Sequence, residues 1–194
     1  LTYNMVITEI SEDKWKHLMK RVGSKNYFLS PEWLRVVADN FNLTNHYYII
    51  EDRKRPCYIA LQVSNTGEAY APFIGYGGIL CTESISFSLI EKIIHIFEQT
   101  TKYKLIRMKF SPFANIVQEP NNTFTRTTAA ILPLSKTLEE QKRNFHKKTR
   151  NEVRYAYKHG VIVRPITKND VQNFYSLYKE TMKRVKSMYL TPLT

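Results

Sequence analysis

Lys147, Arg150, Arg154 and Lys158 follow one another at spacings of three, four and four residues, so a helix turning about 100° per residue carries all four on one side. Two guanidinium forks four positions apart can grip one phosphate-bearing ligand, and the lysines extend the charge by a turn either way. Between residues 142 and 158 seven Lys or Arg face a single acid, Glu152, so the i to i+4 ion pairs of an ordinary surface helix are mostly missing. Like charges then repel along the segment. An anionic partner relieves that repulsion, whether nucleotide, RNA or lipid headgroup. A merely solvated polar face is the plain alternative.

A second cluster with chemical use is Phe73-Ile74-Gly75-Tyr76-Gly77-Gly78, with three glycines in four positions. It can offer backbone amides to a phosphate or carbonyl, or it can simply be a tight turn, and the sequence leaves both open. Other chemistries lack their residues. The five histidines are scattered without HExxH or paired spacing, so no metal site is expected. Cys57 and Cys81 lie in apolar, strand-like surroundings without CxxC spacing and read as buried free thiols. No nucleophile elbow appears, and neither cysteine lies beside a base, so direct attack by an acceptor amine fits better than a covalent enzyme intermediate.

These groups need a scaffold, and 194 residues with 43% hydrophobic content suffice for one full domain, or one and the start of another. The net charge of +12 favours anionic partners without fixing a function. Thirteen Tyr and ten Phe are spread evenly, so no base-stacking platform stands out. Residues 5–10 alternate as a strand, and Ser11 caps a helix to Val22 whose inner face is Trp15, Leu18, Met19 and Val22. Ser30 and Pro31 open a helix through Phe41, facing inward through Trp33, Leu34, Val37 and Phe41. Residues 46–51, 56–64 and 68–72 form an antiparallel meander. Residues 84–100 make an amphipathic helix, 104–110 a strand, and 111–122 a polar loop of the length that borders sites.

The strand-then-helix order of residues 5–22 recurs at residues 161–186. Residues 123–134 are rich in β-branched side chains and read as a strand. A cap at Ser135 or Thr137, acids at Glu139 and Glu140 and a stop at Gly160 predict one helix over 138–159. Its core face would be Leu138, Phe145, Thr149, Val153 and Ala156, opposite the cations. Residues 161–165 read as a strand and 167–186 as a capped helix with Phe174, Tyr175, Tyr178, Met182 and Val185 inward. The resulting division is 1–134 as a first domain, 135–160 as a long basic connecting helix, and 161–194 as the start of an incomplete second domain.

The segment RTTAAILPL, a Glu-rich helix start and NFHKKTRNEVRYAYKHGVIVRP resemble the hinge of the Fem-type peptidoglycan-bridge aminoacyltransferases, or FemAB-like family. NYFLSPEWLRVVADNF, APFIGYGGIL and FYSLYKETMKRV are similar in the same order. The resemblance implies an α/β (α+β) GNAT-like N-acyltransferase fold, with a mixed, mostly antiparallel sheet and flanking helices, the first of two tandem units. It implies an acyl or aminoacyl transferase forming an amide on an amine acceptor, with aminoacyl-tRNA as donor and a phosphate-bearing, lipid-linked or nucleotide-linked cell-wall precursor as acceptor. No cofactor beyond such a co-substrate, or acyl-CoA, is expected. The acetyl-CoA loop [RQ]-x-x-G-x-[GA] is absent, which disfavours an ordinary acetyltransferase.

Within this reading Lys147, Arg150, Arg154 and Lys158 bind substrate phosphates, and Trp33, Tyr76, Gly77 and Gly78 border a cleft. The base that takes the ammonium proton is undetermined among Glu119, Asp170 and Glu180. In the family the acceptor chemistry draws on the second domain, so this chain alone is expected to be incomplete as an enzyme. The expected location is cytoplasmic, with peripheral contact at the inner face of an anionic membrane. A non-enzymatic RNA- or membrane-binding protein using the basic helix is the alternative of a different class.

Overall fold

The run from Arg55 to Ser64 has Cys57, Tyr58, Ile59, Ala60, Leu61, Gln62 and Val63 all buried, which requires packing on both faces of the strand it forms. The computed structural model describes residues 5–24, 26–52, 55–112, 114, 116, 117, 125 and 128–187, and it divides into two units, residues 1–127 and 128–194.

In the first unit the strands are β1 (Val6–Ile10), β2 (Leu43–Asp52), β3 (Arg55–Ser64), β4 (Glu68–Ala71), β5 (Ile79–Cys81), β6 (Ile85–Ser86), β7 (Leu105–Met108) and β8 (Ile116–Val117). The main sheet runs β1-β2-β3-β4-β7, with β5 also paired to β3, and only β4 with β7 is parallel within it. β6 and β8 form a separate two-stranded parallel pair. The helices are α1 (Glu12–Val22), α2 (Pro31–Phe41) and α3 (Phe87–Thr100). The architecture is therefore mixed α/β with a mostly antiparallel sheet and flanking helices.

Alternation along β2 and β3 separates two cores. Tyr47, Tyr58 and Ala60 pack with Trp15, Leu18, Leu29 and Leu34 of the first helical layer. Tyr48, Cys57, Ile59, Leu61 and Val63 pack with Ile90, Ile93 and Phe97 of α3. Each large apolar side chain so buried contributes about 1.5–3 kcal/mol. The caps are those the sequence indicates. Ser11 accepts from the Lys14 amide at 3.3 Å, Ser30 from Trp33 at 3.2 Å with Pro31 at the first helical turn, and Gly23 ends α1 at φ 66°.

The cysteines depart from expectation. They are not free thiols: Cys57 and Cys81 face each other in the β3–β5 register, their Cα atoms 4.7 Å apart, and form a disulfide. Their spacing of 24 positions says nothing of cross-strand register.

The second unit contains α4 (Leu138–Asn144), α5 (Lys147–Lys158), a 3₁₀ turn at Lys168–Asp170 and α6 (Val171–Arg184). Three expectations need correction here. The single helix over 138–159 is broken: Phe145 and His146 hold extended ψ of 141° and 147°, and the His146 side chain caps α5 through the Lys148 amide at 3.3 Å. A continuous helix would stack Arg143 on Lys147 at i,i+4, a like-charge contact the break removes. The intended core face is not buried either, with Leu138 at 62% and Val153 at 40% exposure, while Phe145 and Ala156 are half-buried.

Lastly, residues 128–134 and 161–165 are not strands. Ile162 and Val163 are each 85% exposed, and β-branched residues form strands only where a neighbouring strand and a buried face receive them. Residues 123, 124, 126 and 127 lie outside the described residues. In the loop after β7, Ile116–Val117 form the short β8 rather than plain coil.

Candidate functional site

In the first unit a groove of about 580 Å³ opens beside the glycine turn. Asn26, Tyr76, Gly77, Leu80, Cys81 and Glu83 are among its lining residues, and none of the described lining residues is Lys or Arg. Its chemistry is thus hydroxyls, amides and apolar wall with one carboxylate, which suits a neutral or amine-bearing group better than a phosphate.

The sequence-predicted cleft residues gather at this corner. The Trp33 indole donates to the Ile74 carbonyl at 3.3 Å and packs against Tyr27 and Phe28, and Phe28 packs edge-on to Tyr76. Asn26 donates to the Tyr76 carbonyl at 2.8 Å while its Oδ1 accepts from the Phe28 amide, clamping the turn to the segment before α2. Tyr76 and Gly77 line the groove. The Gly77 amide donates to Lys109 O at 2.7 Å and the Gly78 amide to Ala71 O at 3.1 Å, so these two donors close the sheet rather than face a ligand. A Cβ on Gly77 would come within 2.5 Å of Leu29 Cδ2, and one on Gly78 within 2.5 Å of the Phe110 ring at a φ of 66°. Glycine is there because side chains already fill the space.

Sequence reasoning missed the residue that fixes this turn from beneath. Gln62, fully buried in β3, donates to Leu34 O at 2.9 Å and to Asn45 Oδ1 at 3.1 Å, and accepts from the Phe73 amide at 3.1 Å. A lone Gln in an apolar strand run is the signal that could have found it, since a buried amide must be satisfied.

In the second unit Lys147, Arg154 and Lys158 are exposed on α5, and Arg150 is half-buried. The Arg150 Nη1 donates to the carbonyls of Arg143 at 3.0 Å and Phe145 at 2.5 Å, filling acceptors that the helix break orphans. Arg154 lies 3.5 Å from Asn151 Oδ1, and Glu152 pairs with Lys148 at 3.9 Å rather than with a stripe cation. Tyr157, 69% exposed, projects within about 20° of Arg150 on the helix wheel, and Tyr155 is 66% exposed. The alternation Arg154-Tyr155-Ala156-Tyr157-Lys158 therefore interleaves aromatic faces with charge, a signal that an even whole-chain count of tyrosines hides.

Of the three carboxylates considered as a base, Glu119 lies outside the described residues. Asp170 is held by Arg164 at 2.6 and 2.7 Å and by Thr167, and the Arg164 guanidinium, with Thr167 adding to it, drives its carboxyl well below the usual range. So weak a base caps the 3₁₀ turn instead. Glu180 lies on α6 and is exposed. Among the described residues no group of three or more His, Cys, Asp or Glu gathers as a metal set, and no described helix is long and apolar enough to cross a membrane.

The FemAB family model matches residues 118–190, a span that includes α4, α5 and α6, and so bears out the FemAB-like resemblance on that segment. The match points to a peptidoglycan-related aminoacyltransferase. No curated protein and no solved structure matches the chain.

Proposed function

We propose that the chain is part of a GNAT-like, tandem-unit aminoacyltransferase that takes aminoacyl-tRNA as donor and a phosphate-bearing cell-wall precursor as acceptor. In this reading the exposed cations Lys147, Arg154 and Lys158, with Tyr155 and Tyr157 between and beside them, hold nucleic-acid or precursor phosphates on α5. Arg150 shapes the start of that face and lends it charge. The groove beside Tyr76 and Gly77 takes an uncharged or amine-bearing part of a substrate. Amide formation from an activated ester needs mainly positioning and charge stabilisation, which such surfaces supply without a nucleophilic triad. The protein works in the cytoplasm, in peripheral contact with the inner membrane face where a lipid-linked acceptor resides. The observation that carries the reading is the FemAB match over 118–190 coinciding with the face of α5 on which Lys147, Arg154 and Lys158 are exposed.

The test is a tRNA-binding titration at several salt concentrations. Lys147→Gln, Arg154→Gln and Lys158→Gln together leave the Arg150 contacts at the helix break in place. Affinity should fall, and the slope of log K against log salt should flatten by roughly 0.7–0.9 per phosphate contact removed. Unchanged affinity and slope would reduce the stripe to solvated charge.

A further inference from the structure

The Cys57–Cys81 bridge reaches the groove wall at Cys81, and the proposed transfer chemistry does not use it. Its two ends differ sharply. Cys57 is 3% exposed and packs into the apolar core among Ile59, Ile79 and Ile85. Cys81 is half-buried, ends the three-residue strand β5, and lines the groove where exposed Thr82 and Glu83 follow it. Thiol–disulfide exchange goes to the sulfur that the incoming thiolate can reach, so access selects Cys81. A groove of about 580 Å³ lies in the size range of small-molecule sites, roughly 300–1,000 Å³, and so has room for the rest of the thiol.

We propose that Cys57–Cys81 is a thiol-exchange site opened from the groove at Cys81, taking a small-molecule thiol as co-reactant. The thiolate attacks Cys81 Sγ, a new S–S bond forms there, and the Cys57–Cys81 bond breaks. Cys57 leaves with the electron pair and takes a proton from water, becoming a thiol in the core. Cys81 is left as a mixed disulfide whose substituent occupies the groove. A second thiolate attacking the small molecule's sulfur releases Cys81 as a thiolate and a symmetric small-molecule disulfide, leaving the pair reduced. Access alone confines the first step to the Cys81 sulfur. The modification fills the groove at Tyr76 and Gly77, and so reversibly blocks whatever that groove binds.

The test uses the whole oxidised chain under native conditions with reduced glutathione as the probe, followed by acid quench, alkylation and peptide mapping by mass spectrometry. The expected result is glutathione on Cys81 and an alkylatable thiol at Cys57. In single variants, Cys57→Ser should leave a Cys81 that oxidised glutathione labels at least about tenfold faster than it labels Cys57 in Cys81→Ser, by the difference in access. Glutathione on Cys57, equal labelling of the two variants, or a bridge that reacts only after unfolding in urea would each overturn the proposal. None of these outcomes depends on tRNA binding at α5, so the transferase reading stands or falls separately.

Discussion

Gly77 shows how one missing side chain decides a local structure. Its amide is committed to Lys109 O, and the place a Cβ would take is held by Leu29 and Pro72. Gly77→Ala must therefore displace Leu29, a fully buried core residue, and overpacking of this kind costs about 1–3 kcal/mol. Urea denaturation of the variant should show that loss, and an unchanged midpoint would mean the turn yields freely. Asp170 gives a second prediction at this scale. Its carboxyl titrates below its ordinary value because Arg164 and Thr167 bind the charged form, so its stabilisation is complete above the ordinary carboxylate pKa. It is lost as pH falls through that value toward the lowered one. The Thr167 and Asp170 amide signals should hold steady from neutral pH through the ordinary carboxylate range and shift only in stronger acid, and Asp170→Asn should abolish the transition.

At the scale of elements, Arg150 ties the helix break together through its guanidinium. It supplies a donor to two carbonyls at the end of α4, one of them part-buried at Phe145. Arg150→Met keeps length and helix propensity but removes the donor. Hydrogen exchange at α4 amides should accelerate roughly five- to tenfold, the equivalent of about 1 kcal/mol for a lost hydrogen bond, while α3 amides stay unchanged. Caps, glycine stops and apolar periodicity made α1, α2, α3 and the β2–β3–β4 meander legible beforehand, because each is a local signal whose buried face is also present. The break at Phe145-His146 was not legible, since Thr137 and Gly160 are good terminal signals and nothing between them is Pro or Gly. Nor were the coil states of 128–134 and 161–165, whose β-branched composition meets no neighbouring strand among the described residues. The disulfide and the role of Gln62 depend on register across strands, and sequence spacing does not encode it.

At the scale of the whole molecule the two units differ in what holds them. Among the described residues the buried core lies wholly within 10–97, whereas none from 128 to 187 is buried. Along the second unit Leu138, Tyr157, Ile162, Phe174 and Leu177 are all at least 60% exposed, so among the described residues nothing covers them. Helices of seven, twelve and fourteen residues are marginal in water without a packed face. A peptide of residues 128–194 should consequently show weak helicity that declines gradually with temperature, with no cooperative heat-absorption peak. Residues 1–127 should give a two-state transition. Cys57→Ala with Cys81→Ala should lower its stability by about 3 kcal/mol, because the bridge closes a loop of 24 positions in the unfolded chain. The same double substitution should leave α6 helicity in the intact chain unaltered, read by site-specific exchange at Tyr175 and Tyr178. A sharp transition in the 128–194 peptide would overturn this account, since it would require a core that the described residues do not contain.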